Sequence, residues 1–122
     1  MAHGGPHADV GELDPDFARS VADTMQALAT ASRVRILGRL HVAPCSVNEL
    51  AGAVEMEPSA VSHQLRLLRH LGLVVGRRDG RRVVYDLYDD HVGELLDQAI
   101  SHVAHVRGGL ARTASAERVA EV

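Results

Sequence analysis

The segment 46–87 contains two kinds of hydrophobic spacing in succession, and this change restricts the fold more than any other feature. Ser46 and Glu49 form a Ser-x-x-Glu capping pattern, which predicts the start of a short helix. After a tight turn, apolar residues recur at helical spacing from Val61 to Leu71. Two short helices joined by a tight turn are the pattern of a helix-turn-helix.

A β-hairpin is predicted directly after these two helices. Val83, Tyr85 and Leu87 are apolar residues at alternate positions, and the dipeptide Asp79-Gly80 separates this run from an earlier apolar run. Asp-Gly between alternating runs is a strong hairpin signal, because the turn residues must tolerate positive φ. The four arginines that flank the turn are Arg77, Arg78, Arg81 and Arg82. The hairpin is therefore predicted to be a basic wing.

The whole chain divides into three parts. Residues 1–13 are rich in Gly and His and predict a flexible arm, whereas 14–107 carry the helical patterns and 108–122 form a tail. The last helix is expected to begin at Asp89 or Asp90 and to end at Gly108-Gly109. The predicted fold is mainly α with a β-hairpin wing, a dimeric winged helix-turn-helix of about five helices.

The charge of the chain is distributed unevenly. The formal net charge is -3, but residues 59–82 contain six arginines and one aspartate, a net charge of +5 that leaves -8 elsewhere. Such a concentration is expected where one face contacts phosphate, although a solvated charged surface would give the same count.

Composition restricts the remaining possibilities. Cys45 is the only cysteine in 122 residues, which excludes an intrachain disulfide framework and a thiolate-only metal site within one chain. No uncharged apolar run approaches the roughly 18–20 residues that span a bilayer, and the N-terminus lacks the apolar region of a secretion signal. We therefore expect a cytoplasmic protein without membrane contact. An enzyme is disfavoured, because no catalytic histidine signature or glycine-rich phosphate loop is present.

Double-stranded DNA is the partner that these features predict. Gln64 could pair with adenine in the major groove, whereas His63 could contact either a base or a phosphate. The residues assigned to the DNA face are Ser59, Ala60, Ser62, His63, Gln64, Arg66, Arg69, Arg77, Arg78, Arg81 and Arg82.

Three sequence stretches resemble the ArsR/SmtB family of metal-sensing repressors. They are Ala-Leu-Ala-Thr-Ala-Ser-Arg-Val-Arg-Ile-Leu at 27–37, Ser-Val-Asn-Glu-Leu-Ala at 46–51, and Ser-Ala-Val-Ser-His-Gln-Leu-Arg-Leu-Leu-Arg at 59–69. The resemblance covers about residues 15–107. It implies a homodimer packed through its first and last helices, which binds an inverted-repeat operator and usually releases DNA when metal binds.

The resemblance also implies a metal site on the last helix. Members that sense arsenite or cadmium carry cysteines where this chain has Ser46 and Asn48, so a soft-metal site there is not expected. The alternative family pattern, Asp-x-His followed by His-x-x-His, matches Asp89, His91, His102 and His105. It is most similar to the nickel- and cobalt-sensing branch, in which an N-terminal arm adds ligands; here these would be His3, with His7 and the Ala2 amine as further candidates.

Helix geometry places these ligands in two pairs. His91 and His102 are eleven residues apart, which is roughly 16 Å along a helix and nearly three full turns. The pairs share a face but cannot share an ion within one chain, so two antiparallel copies of the helix are needed to complete each site. Nitrogen and oxygen ligands suit nickel, cobalt or zinc, and extra donors from the arm would favour six-coordinate nickel or cobalt.

A dimer is also predicted from the width of the apolar face on the last helix, which exceeds what a small core needs. The residues assigned to the dimer interface are Phe17, Val21, Val92, Leu95, Leu96, Ala99, Ile100 and Val103. Two alternatives stay open on sequence alone. One is a winged-helix regulator controlled by a partner or by oxidation of Cys45, and the other is a regulator that metal activates for DNA binding.

Overall fold

The computed structural model describes residues 13–120, with side chains placed as far as residue 109. Five helices and three short strands follow one another along the chain. They are α1 (Pro15–Ala27), α2 (Ala31–Val42), β1 (Cys45–Ser46), α3 (Val47–Val54), α4 (Pro58–His70), β2 (Val74–Asp79), β3 (Arg82–Leu87) and α5 (Asp90–Ala120). The strands form one antiparallel sheet in the order β1-β3-β2. The predicted helical protein with a hairpin wing is confirmed.

The helix starts follow the capping residues of the sequence. Asp14 and Thr30 accept hydrogen bonds from the backbone N–H groups three residues ahead, at the N-termini of α1 and α2. Ser46 and Glu49 form the complete capping box of α3. Each cap satisfies backbone donors that have no partner inside the helix.

The hydrophobic core lies between α2, α3 and α4. Its most deeply buried side chains include Ile36, Leu37 and Leu40 of α2, Leu50 of α3, and Val61, Leu65 and Leu68 of α4. Val74 of β2 and Cys45 of β1 are also buried. The helix-turn-helix formed by α3 and α4 therefore packs on α2, and the sheet closes one side of the core.

The hairpin turn lies one residue further along than predicted. Asp79 pairs with Arg82, so the two turn residues are Gly80 and Arg81. Among the described residues of the turn, only Gly80 has a positive φ, at 67°. Glycine at the first central position is the pattern of a type II′ turn, which needs one left-handed residue rather than two.

The last helix does not end at Gly108-Gly109, and the prediction on this point is wrong. α5 begins at Asp90 as predicted but continues to Ala120. Glycine in a helix costs about 1 kcal/mol relative to alanine. No proline follows the pair, and residues 110–120 are mostly alanine, arginine and other helix-compatible residues, so the helix continues. No helix in 13–120 is long and apolar enough to cross a membrane.

Candidate functional site

The outer face of α4 presents polar side chains opposite its buried apolar face. Val61, Leu65 and Leu68 face the core. The side chains predicted to contact DNA are exposed at Ser59, Ala60, His63, Arg66 and Arg69, and half-buried at Ser62 and Gln64. The helical period that builds the core thus directs the opposite residues to solvent, as an element that enters a groove requires.

Gln64 is engaged by a residue that the sequence did not associate with it. The Nε of Arg33, in α2, donates a hydrogen bond of 2.8 Å to Oε1 of Gln64. The same guanidinium approaches the backbone carbonyls of Gln26 and Ala27 at 3.5 and 3.4 Å. Arg33 therefore joins the C-terminal end of α1 to α4.

The wing carries two arginines without an ion pair in the described part of the chain, Arg78 and Arg81, and both are exposed. Arg77 lies 3.9 Å from Asp86, a weak contact between two partly exposed groups. Arg78 and Arg81 are thus the cations of the wing that are most available to a phosphate backbone.

Arg82 has a contact within the protein that the sequence analysis missed. Its guanidinium lies 3.4 Å from the carboxylate of Glu49, at the N-terminus of α3. Hydrogen bonds from the Ser46 backbone N–H and hydroxyl, followed by the charge of Arg82, lower the pKa of Glu49 below 4.5. The wing and the first helix of the helix-turn-helix are therefore connected through this carboxylate.

Asp89 and His91 lie together at the start of α5. Oδ1 of Asp89 accepts hydrogen bonds from the backbone N–H groups of His91 at 3.0 Å and Val92 at 3.3 Å. Its Oδ2 lies 3.4 Å from Nδ1 of His91, and the His91 side chain is 83% exposed. Capping therefore orients Asp89 through one oxygen while the other faces an accessible imidazole.

His102 and His105 form a separate exposed pair further along α5. Among the side chains of residues 13–109, no three or more of His, Cys, Asp or Glu form a group that could hold a metal. His3, His7 and the Ala2 amine lie outside the described residues. The imidazole and carboxylate donors of the two pairs fit nickel, cobalt or zinc, but neither pair provides a complete site within one chain.

The predicted dimer face needs correction at two residues. Val92 and Leu96 are 6% and 3% exposed, because they pack in the core of their own chain. Val21 is half-buried. The remaining residues of this face are exposed: Phe17, Leu95, Ala99, Ile100 and Val103. The width of the apolar face thus has two causes, since one edge packs inward and the other is left uncovered.

The sequence also did not predict that α2 and α5 are in contact through His41 and Asp97. His41 and Asp97 lie on the wall of a cleft of about 600 Å³, with Asp89, Gly93 and Glu94. The sequence identified His41 only as a residue near a helix C-terminus. Its partner lies 56 residues further along the chain, and no local spacing indicates such a contact.

Comparisons with known proteins agree with this architecture. Residues 30–75 match the family model described as bacterial regulatory protein, arsR family. The chain is 55% identical over 112 residues to the HTH-type transcriptional regulator NmtR of Mycobacterium tuberculosis, covering 90% of this chain and 93% of NmtR. It is 43% identical over 88 residues to a transcriptional repressor SmtB homolog of Synechocystis, covering 72% and 67%.

Solved structures give the same result. The solution structure of apo-NmtR matches with a TM-score of 0.67 and 56% identity, covering 84% of this chain and 88% of that one. A homodimeric winged helix-turn-helix DNA-binding domain from Mycobacterium bovis matches with a TM-score of 0.67 and 31% identity, covering 80% and 95%. The chain therefore belongs to the arsR family of bacterial regulatory proteins.

Proposed function

We propose that this chain is a metal-responsive transcriptional regulator that binds an inverted-repeat operator as a homodimer and releases it when nickel or cobalt binds. Membership of the arsR family makes it a transcriptional regulator rather than an enzyme. The main support for the proposed metal response is the arrangement of α5. Its four candidate ligands lie in two exposed pairs, separated by roughly 16 Å of a helix whose apolar face is partly uncovered.

The DNA face of the proposal consists of α4 and the wing. We assign base contacts to the exposed N-terminal half of α4, and phosphate contacts to Arg66, Arg69 and the wing arginines. Arg78 and Arg81 make the largest contribution among the wing residues, because neither forms an ion pair among the described residues. Arg77 and Arg82 contribute less, since each already contacts an acid of its own chain.

The metal site of the proposal is shared between protomers. Asp89 and His91 of one protomer are completed by the partner subunit's His102 and His105, so that the dimer carries two identical sites. These four donors would hold zinc as readily as nickel. His3, with His7 and the Ala2 amine, would supply the further donors that favour nickel or cobalt over zinc.

Occupancy of such a site acts on DNA binding through dimer geometry. The ligand pairs fix how the two α5 helices lie against each other, and α5 contacts α2 and β3 of the DNA-binding body. The two recognition helices must lie about one duplex turn apart, roughly 34 Å, to enter successive major grooves. A small change of dimer geometry therefore changes operator affinity by a coupling free energy that is typically about 1–3 kcal/mol.

The redox alternative loses support from the position of Cys45. Its side chain is 1% exposed, and Sγ lies 3.5 Å from the carbonyl oxygen of Ala43. A thiol that responds to an oxidant needs access to solvent.

No feature of the described residues favours metal-activated binding over release. The titration below measures directly whether metal weakens or strengthens operator binding. We also propose a cytoplasmic location, since a regulator must be in the compartment that contains its operator DNA.

A titration of operator DNA tests the proposal. Binding is measured at fixed salt with the apoprotein and with nickel, cobalt and zinc, for the wild type, His102→Ala and Cys45→Ser. We expect metal to weaken binding by about 5- to 150-fold in the wild type and in Cys45→Ser. His102→Ala should bind DNA like the apoprotein whether or not metal is added. An equal response of His102→Ala would contradict the assigned site, and so would a loss of the metal response in Cys45→Ser. A wild type that does not respond to any of the three metals would contradict metal control and leave the redox or partner-controlled alternative.

A further inference from the structure

Arg33 occupies a fixed position between two helices of the DNA-binding body. Its guanidinium approaches the carbonyls of Gln26 and Ala27 at 3.5 and 3.4 Å. Carbonyls in the last turn of a helix lack partners within it and carry partial negative charge. The positive side chain is therefore held over the end of α1, and its Nε is directed to Gln64 on α4.

The chemistry of this contact determines which way the Gln64 amide faces. A guanidinium donates hydrogen bonds and has no acceptor atom. The Gln64 atom that lies 2.8 Å from Nε must therefore be the carbonyl oxygen, and not the amide nitrogen. A carbonyl oxygen has two lone pairs, and Arg33 engages one of them and directs Oε1 toward α2. The amide NH₂ is therefore the end of Gln64 that is turned away from Arg33.

We propose that Arg33 is a specificity-determining residue, which makes Gln64 a hydrogen-bond donor toward DNA. The inference rests on the proposed function, in which α4 enters the major groove. A donor selects a base that presents an acceptor in that groove, such as N7 of a purine, O6 of guanine or O4 of thymine. The bidentate pairing of glutamine with adenine also needs the amide carbonyl to face the N6 amino group and accept from it, whereas the hydrogen bond from Arg33 directs that carbonyl toward α2.

The chain offers two matched variants that separate this role from charge. Arg33→Lys keeps the positive charge but loses the planar fork that reaches Gln64 and α1 together. Arg35→Ala removes an equal charge from the same helix, where Arg35 lies 3.8 Å from Glu55 and both side chains are exposed. We expect Arg35→Ala to leave the base preference unchanged. Arg33→Lys and Arg33→Ala should change the base preference itself.

The test begins with an operator selected from a random double-stranded library by the full-length wild-type dimer. The base pair that Gln64 contacts is the one at which Gln64→Ala loses preference in titrations at fixed salt. Synthetic operators then carry at that position a base analogue that lacks one group, which is N7 of a purine, O6 of guanine, O4 of thymine or the 6-amino group of adenine. Removal of the N7 acceptor, or of guanine O6 or thymine O4 where the base is one of these, should weaken wild-type binding about 5- to 10-fold. Where the base is adenine, removal of its amino group should change wild-type binding less than about 2-fold.

The same operators show what Arg33 contributes. In Arg33→Ala the carbonyl of Gln64 is released, so an adenine at this position should become favoured, and removal of its amino group should then weaken binding about 5- to 10-fold. The inference is overturned if removal of the amino group weakens wild-type binding as much as removal of N7. It is also overturned if Arg33→Ala and Arg33→Lys keep the wild-type base preference, or if Gln64→Ala loses none. A library selection that enriches no sequence overturns the proposed function, and this inference with it.

Discussion

The imidazole Nε2 of His41 lies 3.1 Å from Oδ1 of Asp97, and this contact joins the C-terminal end of α2 to α5. The ring packs over Gly93, at which a Cβ atom would lie 2.6 Å from Cε1 of His41. Two residues of α5 thus accommodate the His41 side chain of α2. The Asp97 carboxylate pairs with the ring, and Gly93 leaves room for it. This contact orients the helix that carries the candidate metal ligands.

The first prediction concerns Gly93. Alanine at an interior helical position is about 1 kcal/mol more favourable than glycine. In Gly93→Ala the new methyl group displaces the His41 ring from Asp97, which offsets that gain. We expect Gly93→Ala to stabilise a His41→Ala protein by about 1 kcal/mol, and to stabilise the wild type by at least about 0.5 kcal/mol less. Urea unfolding of the four proteins measures this difference, and equal effects in both backgrounds would show that the close contact does not exist in solution.

The second prediction separates the core edge of α5 from its uncovered edge. Leu96 is 3% exposed and Ile100 is 53% exposed. Leu96→Ala should lower the free energy of unfolding by about 2–5 kcal/mol, as for other buried leucines. Ile100→Ala should leave the fold intact and raise the dimer dissociation constant, which sedimentation of the metal-free protein measures. A wild-type apoprotein that is monomeric at micromolar concentration would contradict burial as the basis of association.

The sequence predicted the parts of the fold whose signals are local. The capping box of Ser46 and Glu49 and the helical period of α4 each depend on residues within a few positions of one another, and the structure confirms them. β1 was missed, because two residues are too few to display an alternating period. The end of α5 was misplaced, because two glycines weaken a helix without ending it.

The predicted site was less complete for a different reason. Residue types and spacing indicated the outer face of α4 and the ligand pairs of α5, but they could not indicate which side chains already have partners. Arg33 and Gln64 are 31 residues apart, and Arg82 and Glu49 also belong to distant elements. Likewise, an apolar residue such as Leu96 has the same helical spacing whether it packs inward or against a second protein.

The third prediction concerns the tip of the wing. Arg81 is exposed and has no ion pair in the described part of the chain, so it is free to neutralise a phosphate. Arg81→Ala should weaken binding to every sequence and make the slope of log K against log salt shallower by about one unit. Arg19→Ala, which removes an equal charge from exposed α1, serves as the control and should leave the slope unchanged. A loss confined to one operator sequence would instead assign Arg81 to base readout.

The fourth prediction concerns the carboxylate that joins the wing to α3. The pKa of Glu49 is lowered below 4.5 by Ser46 and then by Arg82. A group whose pKa is lowered by folding adds stability at pH values above its unfolded pKa, and that stability is lost as pH falls through the folded pKa.

Glu49→Gln is the variant that tests this linkage. Glutamine also completes a capping box, so the substitution removes the charge while keeping the hydrogen-bonding shape. We expect the wild type to be more stable than Glu49→Gln at neutral pH, with the difference shrinking as pH falls below 4.5. Urea unfolding across this range measures it. A difference that is independent of pH would assign the effect to the shape of the side chain alone.

The most direct test of the central claim, that metal bridges two protomers to control DNA binding, is nickel binding to a purified heterodimer. One chain carries Asp89→Ala and His91→Ala, and the other carries His102→Ala and His105→Ala. Each altered homodimer should bind no nickel tightly. If the ligands come from both chains, the heterodimer retains one complete site, and a titration should give one tightly bound nickel ion per dimer together with a weakened hold on the operator. A verified heterodimer that binds no nickel tightly would contradict the account.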